Sequence, residues 1–141
     1  IPSFAPEIFK KVILKDPLKR KQLDLGLQQL SEEGTVQLFY RKNVNEKILG
    51  SLGQLQFEVV KDRLEDEYGV RGDYESFPLI GIRWPKFPDQ KTKTEFLNNN
   101  MNLIFLDNKD RICLGVKSEW DLKMIKEKNP KVEFFKNSEY R

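Results

Sequence analysis

Hydrophobic residues along this chain follow two rhythms, and the rhythm changes at prolines and glycines. Residues 9–15 carry Val12, Ile13 and Leu14 in weak alternation and predict a strand. Asp16-Pro17 marks a helix start. The Asp16 carboxylate can cap exposed N–H groups, and Pro17 suits the first helical position because its missing N–H is not needed there. Leu23, Leu27 and Leu30 recur at helical spacing and face a core, with Gly26 beside them where close packing is possible. Gly34 is a left-handed stop. Residues 36–42, VQLFYRK, are rich in β-branched and aromatic side chains and predict a strand. Residues 43–47 read as a polar turn and 48–52 as a short strand. From Gly53 a second helix turns Leu55, Val59, Val60, Leu64 and Tyr68 inward and its charged residues outward, and it stops at Gly69. Residues 70–84 predict a long fourth strand, bent or held at an edge by Pro78.

Lys15–Gly34 and Gly50–Val70 therefore read alike. Each passes from a strand through an amphipathic helix to a glycine stop. Over residues 9–84 the order is β-α-β-β-α-β, the ferredoxin-like arrangement of two split β-α-β halves on one antiparallel sheet. The remainder repeats this grammar without an obvious first strand. Residues 91–100 predict a helix with Phe96 and Leu97 inward, and 103–107 and 111–116 predict strands joined by a turn at Asn108-Lys109. Ser118-Glu119-Trp120-Asp121 resembles a capping box ahead of a helix with Trp120, Met124 and Ile125 in one stripe. Asn129-Pro130 halts that helix, and residues 132–135 close with a strand. The expected fold class is α+β: a ferredoxin-like unit over 1–85, then an αββαβ extension over 86–141 packed in the same domain. The seam is expected at 85–90.

At 141 residues the chain buries enough surface to fold without a metal or disulfide. It begins at Ile1, without methionine, as a domain cut from a longer protein or a processed chain would. No apolar run approaches the ~20 residues of a membrane span. Cys113 is the lone cysteine, so it forms no internal disulfide and reads as a small buried hydrophobe. Histidine is absent, which removes the commonest general base and metal ligand.

The net charge of +3 hides an asymmetry. Residues 10–21 hold six cations and one acid, while residues 43–85 carry a net −3. Such polarity suits docking one side against a polyanion; the bland alternative is a solvated, lysine-rich helix start. Lys19, Arg20 and Lys21 spread over much of the helix circumference at about 100° per residue, so Lys15 and Lys19 are the better neighbours. Cations at a helix N-terminus oppose the dipole, which points to an external anion. Arg41, Lys42 and Arg83 are placed to extend the patch across a strand edge, and Trp84, beside the seam, is the expected exposed aromatic contact.

Catalytic chemistry is missing. No G-x-x-x-x-G-K-[ST] loop occurs. Asn108-Lys109-Asp110 is superficially like the guanine-reading N-K-x-D, but Arg111 stands in the fourth position and a hairpin turn is the better reading. The acids Glu32-Glu33 and Glu65-Asp66-Glu67 sit at helix ends on solvated faces, where acid–base work is not expected. Glu32 and Glu33 oppose a helix C-terminal dipole; a compensating cation would be Arg20 or Lys21 of a neighbouring molecule, or one from the parent protein. The function must then be a binding function.

The stretch from Gly53 resembles the third domain of elongation factor G and its relatives. That family shows G-E-L-H-L-E-I, then R-L in a charged helix, then an aromatic and a valine. Here Gly53, Leu55, Phe57, Glu58 and Val59 match, followed by Arg63-Leu64 and Tyr68-Gly69-Val70, with Pro78 and Arg83 at the family's spacing. Gln54 and Gln56 depart from it. LQFEVV, with KDPLKRKQL and LSEEG upstream and NPKVEFF near the end, is similar instead to the C-terminal domain of the bacterial peptide chain release factor 3 family, over nearly the whole chain.

That resemblance implies a cytoplasmic parent with a GTPase domain, a β-barrel and this domain. The parent would bind the bacterial ribosome after peptide release and use GTP to drive off the class-one release factor. This domain would lie on the small subunit near ribosomal protein S12 and 16S rRNA, with Lys15, Lys19, Arg20, Lys21, Arg41, Lys42, Arg83 and Trp84 as candidate contacts. GTP or GDP with magnesium would bind outside this chain, which needs no cofactor or membrane. An alternative is a stand-alone ferredoxin-like RNA-binding module stacking bases on Phe39 or Tyr40. A third class, an acylphosphatase-like enzyme or small-molecule sensor, needs an arginine-bearing phosphate loop. The only short loop of that kind, Gly50-Ser51-Leu52-Gly53, carries no cation.

Overall fold

Asp16 accepts a hydrogen bond from the Leu18 N–H at 3.0 Å and so ends the first strand and starts the first helix. The computed structural model describes residues 5–41 and 44–140. In it β1 (Ile8–Leu14) leads to a 3-10 turn at Pro17–Lys19, which carries Pro17 and passes into α1 (Arg20–Glu32). Leu23, Leu27 and Leu30 are buried, and Gly34 adopts φ +84° just beyond the helix. β2 (Gln37–Arg41) and β3 (Val44–Ser51) form a hairpin with an irregularity between Tyr40 and Arg41. The polar stretch 43–47 is thus mostly strand, because Tyr40 pairs with Lys47 and Arg41 with Val44. Lys42 lies outside the described residues.

α2 (Leu55–Tyr68) ends at Gly69, φ +65°. Its inward face is Phe57, Val60 and Leu64, and Leu55 is 71% exposed instead of buried. Leu55 and Phe57 stand about 200° apart on the helix, so both cannot face the sheet. The larger ring, edge-on to Tyr74 at 5.6 Å, takes the core position.

Residues 70–84 are not one strand. β4 (Gly72–Ser76) pairs with β1, and β5 (Gly81–Lys86) lies far from it beside two other strands. Pro78, without an N–H, falls in the four-residue break between them. Then come α3 (Gln90–Asn99), capped by Asp89, a 3-10 turn at Met101–Leu103, β6 (Ile104–Asp107) and β7 (Ile112–Val116). α4 (Glu119–Lys128) starts where Ser118 Oγ accepts from the Asp121 N–H at 3.0 Å, and β8 (Glu133–Phe135) follows.

Among the described residues eight strands run in the order β4-β1-β3-β2-β6-β7-β5-β8, with every neighbouring pair antiparallel. Read from its outer edge, each half has its fourth, first, third and second strands in that order. β5 is the first strand that the second half lacked in the sequence pattern. The halves join through β2 and β6, where Phe39 pairs with Asp107 and Tyr40 with Leu106.

Among the described residues three apolar clusters hold the body together. α1 and α2 cover one half of the sheet, burying Leu27, Leu49 and Phe57 among others. α3 and α4 cover the other half over Phe96, Leu114 and Val132. Between them the helix-free faces of the two halves pack on each other, Phe9, Phe39 and Ile48 from one and Ile82, Trp84, Phe105 and Cys113 from the other. The Phe39 and Trp84 rings are 6.3 Å apart across this layer.

Candidate functional site

Antiparallel register brings the C-terminal ends of β1 and β2 to the same end of the sheet, since Lys11 and Phe39 both pair with Ile48. Lys15 and the start of α1 therefore share that end with Arg41. Lys15 and Lys21 are exposed, and Lys19 and Arg20 half-buried. Lys19, Arg20 and Lys21 make no ion pair among the described residues. Leu18, between them, is 88% exposed. Lys15 lies near Asp73, whose carboxyl is held low by the Tyr74 N–H, then by Lys61, with Lys15 a smaller influence. The result is a cationic shoulder at one corner of the molecule.

Arg41 is engaged within the fold. Its guanidinium stacks over Phe105 at 4.4 Å, Nη2 donates to the Asn102 carbonyl at 2.5 Å, and Glu46 stands 3.9 Å away. Glu46 also faces Lys11 at 3.7 Å. Beside Arg41 an open groove of about 600 Å³ runs between Tyr40, Val44, Leu97 and Met101 over β6.

Arg83 stands apart from the shoulder in strand order: β5 is three strands from β2 and pairs with β7 and β8. The Arg83 side chain is half-buried and donates to the Ile82 carbonyl at 2.8 Å; burial lowers its proton affinity and Glu119 opposes this. Trp84 is a correction: it is 1% exposed. Strand alternation sends Ile82 and Trp84 into the layer between the sheet halves, where the indole N–H donates to Asp107 at 3.1 Å. Phe39 is likewise fully buried there and offers no face to a base. Tyr40 is half-buried, with the Lys47 ammonium 4.8 Å from its ring centre.

The acidic clusters also resolve. The cation compensating the end of α1 is Arg63, from the adjacent α2, not Arg20 or Lys21. Arg63 donates to both oxygens of Glu33, at 2.6 and 3.3 Å, and to Glu67. These bonds hold the Glu33 and Glu67 carboxyls below their ordinary range. Asn108-Lys109 is a hairpin turn between β6 and β7. Asp107 organises it, accepting from the Lys109 and Arg111 N–H groups at 3.0 and 2.9 Å and from Arg111 Nε at 2.6 Å. Sequence reading passed over Asp107; an aspartate directly before a turn dipeptide is the signal that marks it. Ser51 Oγ both accepts from the Gly53 N–H and donates to its carbonyl, closing that short loop on itself.

Cys113 is buried, which pushes its thiol well above the ordinary value. Among the described residues no cluster of three or more His, Cys, Asp or Glu is arranged to hold a metal, and no helix is long and apolar enough to cross a membrane. Compared with known families, residues 1–126 match the one described as class II release factor RF3, C-terminal domain. That match spans most of the 141 residues, so the chain belongs to the C-terminal domain family of class II release factor RF3.

Proposed function

We propose that this domain anchors a cytoplasmic translational GTPase of the termination step to the bacterial ribosome and acts as a stiff lever without chemistry of its own. The observation that carries this reading is the cationic shoulder. Lys19, Arg20 and Lys21 have no partner within the described fold, and they sit against the helix dipole at the corner of a closely packed body. An external polyanion supplies what the fold does not. Family membership supports the wider setting of a release-factor parent; in this reading the parent's nucleotide site lies elsewhere and takes GTP with magnesium, and the parent clears a class-one release factor. The small subunit, near S12 and 16S rRNA, is the docking target in this reading. Differential contact in two nucleotide states would supply the mechanical work.

The strand order of each half supports reading both as ferredoxin-like units. Because β5 pairs only with strands of the second half, the division between units in this reading falls at residues 77–80.

Sedimentation of the chain with purified small subunits across salt concentration tests the docking. Binding should weaken with salt, and K19Q/R20Q/K21Q should reduce the log–log slope by up to about 2–3, at roughly 0.7–0.9 per phosphate contact. A salt-independent affinity, or a triple variant that binds as tightly as wild type, would remove the electrostatic basis.

A further inference from the structure

The two halves share one strand order, yet they treat their helices differently. α1 and α2 pack directly on each other, and α3 and α4 do not come into comparable contact. The close seam in the first half depends on Gly26: a Cβ there would sit 2.7 Å from Leu64 Cδ2 and 3.0 Å from Tyr68 Cδ2. In the second half the corresponding space is open. Two adjoining cavities of about 350 and 470 Å³ follow the gap between α3 and α4 and share Asn99, Lys128 and Asn129 as lining. Lys91 and Lys131 line one end and Lys117 the other. All four lysines are exposed.

We infer that this groove is a binding site for the phosphodiester backbone of single-stranded RNA. α3 has ten residues, so the groove is about 15 Å long, a length over which one nucleic-acid strand carries about four phosphates. The four lysines supply charge, and Asn99 supplies an exposed amide that donates to phosphate or sugar oxygens. Three carboxylates also line it: Asp89, Glu95 and Asp121. Asp89 is already engaged as the cap of α3, accepting from the Thr92 N–H at 2.7 Å. A protein partner fits less well at the Lys128–Lys131 end, because Phe96 and Val132, which line the cavity there, are buried and present little apolar surface to an anchoring residue. The half-buried Leu103 and Met124 at the other end present apolar surface to the face of a base.

The groove is separate from the shoulder at α1, and the inference does not rest on the ribosome-docking reading. The test is binding of a fluorescein-labelled single-stranded RNA of mixed sequence, followed by anisotropy, with lysine acetylation footprinting of the same complex. RNA should protect Lys128 and Lys131 from acetylation. K128Q/K131Q should weaken binding about tenfold and lower the salt slope by about 1.4, at roughly 0.7 per contact. N99E, an exposed position, should weaken binding similarly by placing a like charge in the groove. Protection confined to Lys15, Lys19 and Lys21 would overturn the groove assignment while leaving the shoulder reading intact. Unchanged affinity in N99E would overturn it too. So would stronger protection of Lys128 and Lys131 by a poly-glutamate peptide than by RNA, which would assign the groove to an acidic protein.

Discussion

Trp84 donates its indole N–H to the Asp107 carboxylate in the layer where the two halves of the sheet meet. Asp107 sits at the end of β6, beside the junction with β2, and is 2% exposed. Its charge is met by two backbone N–H groups, the Arg111 guanidinium and this indole. One buried carboxylate thus fixes a hairpin turn and the largest side chain of the inter-half core together.

Removing Trp84 should loosen that layer. W84A is expected to lose about 3–5 kcal/mol of stability, the usual cost of a large aromatic truncated in a core. W84F should lose about 1–3 kcal/mol, because ring packing survives and one hydrogen bond to a charged acceptor does not. Urea unfolding followed by far-ultraviolet circular dichroism separates the two. Equal losses for both variants would mean that the bond to Asp107 carries the whole effect.

Gly26 and Gly53 make opposite predictions. A side chain at Gly26 meets Leu64 and Tyr68, whereas nothing lies within 4 Å of a Cβ at Gly53. G26V should destabilise by about 2–3 kcal/mol through overpacking, despite the gain in helix propensity. G53A should stay within about 0.5 kcal/mol of wild type. The same unfolding measurement decides, and a tolerated G26V would show that α2 can move away from α1.

Acid should weaken the clasp between the helix ends. Arg63 lowers the folded-state affinity of Glu33 and Glu67 for protons. A carboxylate shifted down in this way stabilises the fold above its unfolded value, about 4.3, and loses that contribution as pH falls through the lower folded value. R63Q should be less stable than wild type at neutral pH, and the gap should narrow between about pH 5 and pH 3. It should also narrow with added salt, because these groups are solvent-exposed. A gap independent of pH would assign Arg63 a packing role only.

Tyr74 should control part of the alkaline limit. Its hydroxyl donates to the Phe57 carbonyl at 2.7 Å, and burial, with Glu58 and Asp62 adding to it, pushes its ionisation upward. The unfolded phenol ionises near about pH 10 while the folded one stays neutral, so stability falls as pH rises above that value. Y74F should cost about 1 kcal/mol at neutral pH and flatten the decline above pH ~10. Unfolding midpoints from pH 8 to 11 test this, and an unchanged alkaline slope would point to other groups.

Much of the local structure could be read from short stretches of sequence. Asp16, Ser118, Gly34 and Gly69 mark ends that the structure has, because a cap or a left-handed stop is set by residues within one turn of itself. The Leu23–Leu27–Leu30 stripe is buried as its period requires. The phase of α2 was harder, since Leu55 and Phe57 compete for one face and only the packed sheet chooses. Among the candidate contacts, alternation placed Trp84 on one side of its strand but said nothing of what covers that side.

By itself, then, the sequence determined the kinds of elements, most of their ends, the family motif and the cation cluster at 10–21, all of which depend on neighbours along the chain. Tertiary structure alone decided that residues 70–84 divide between opposite regions of the sheet, that Trp84 and Phe39 are enclosed, that Arg63 answers Glu33, and that α3 and α4 stand apart. The physical reason is one of range. Caps and periodicity act over a few residues, whereas strand order and burial are set by which distant apolar faces find each other in space.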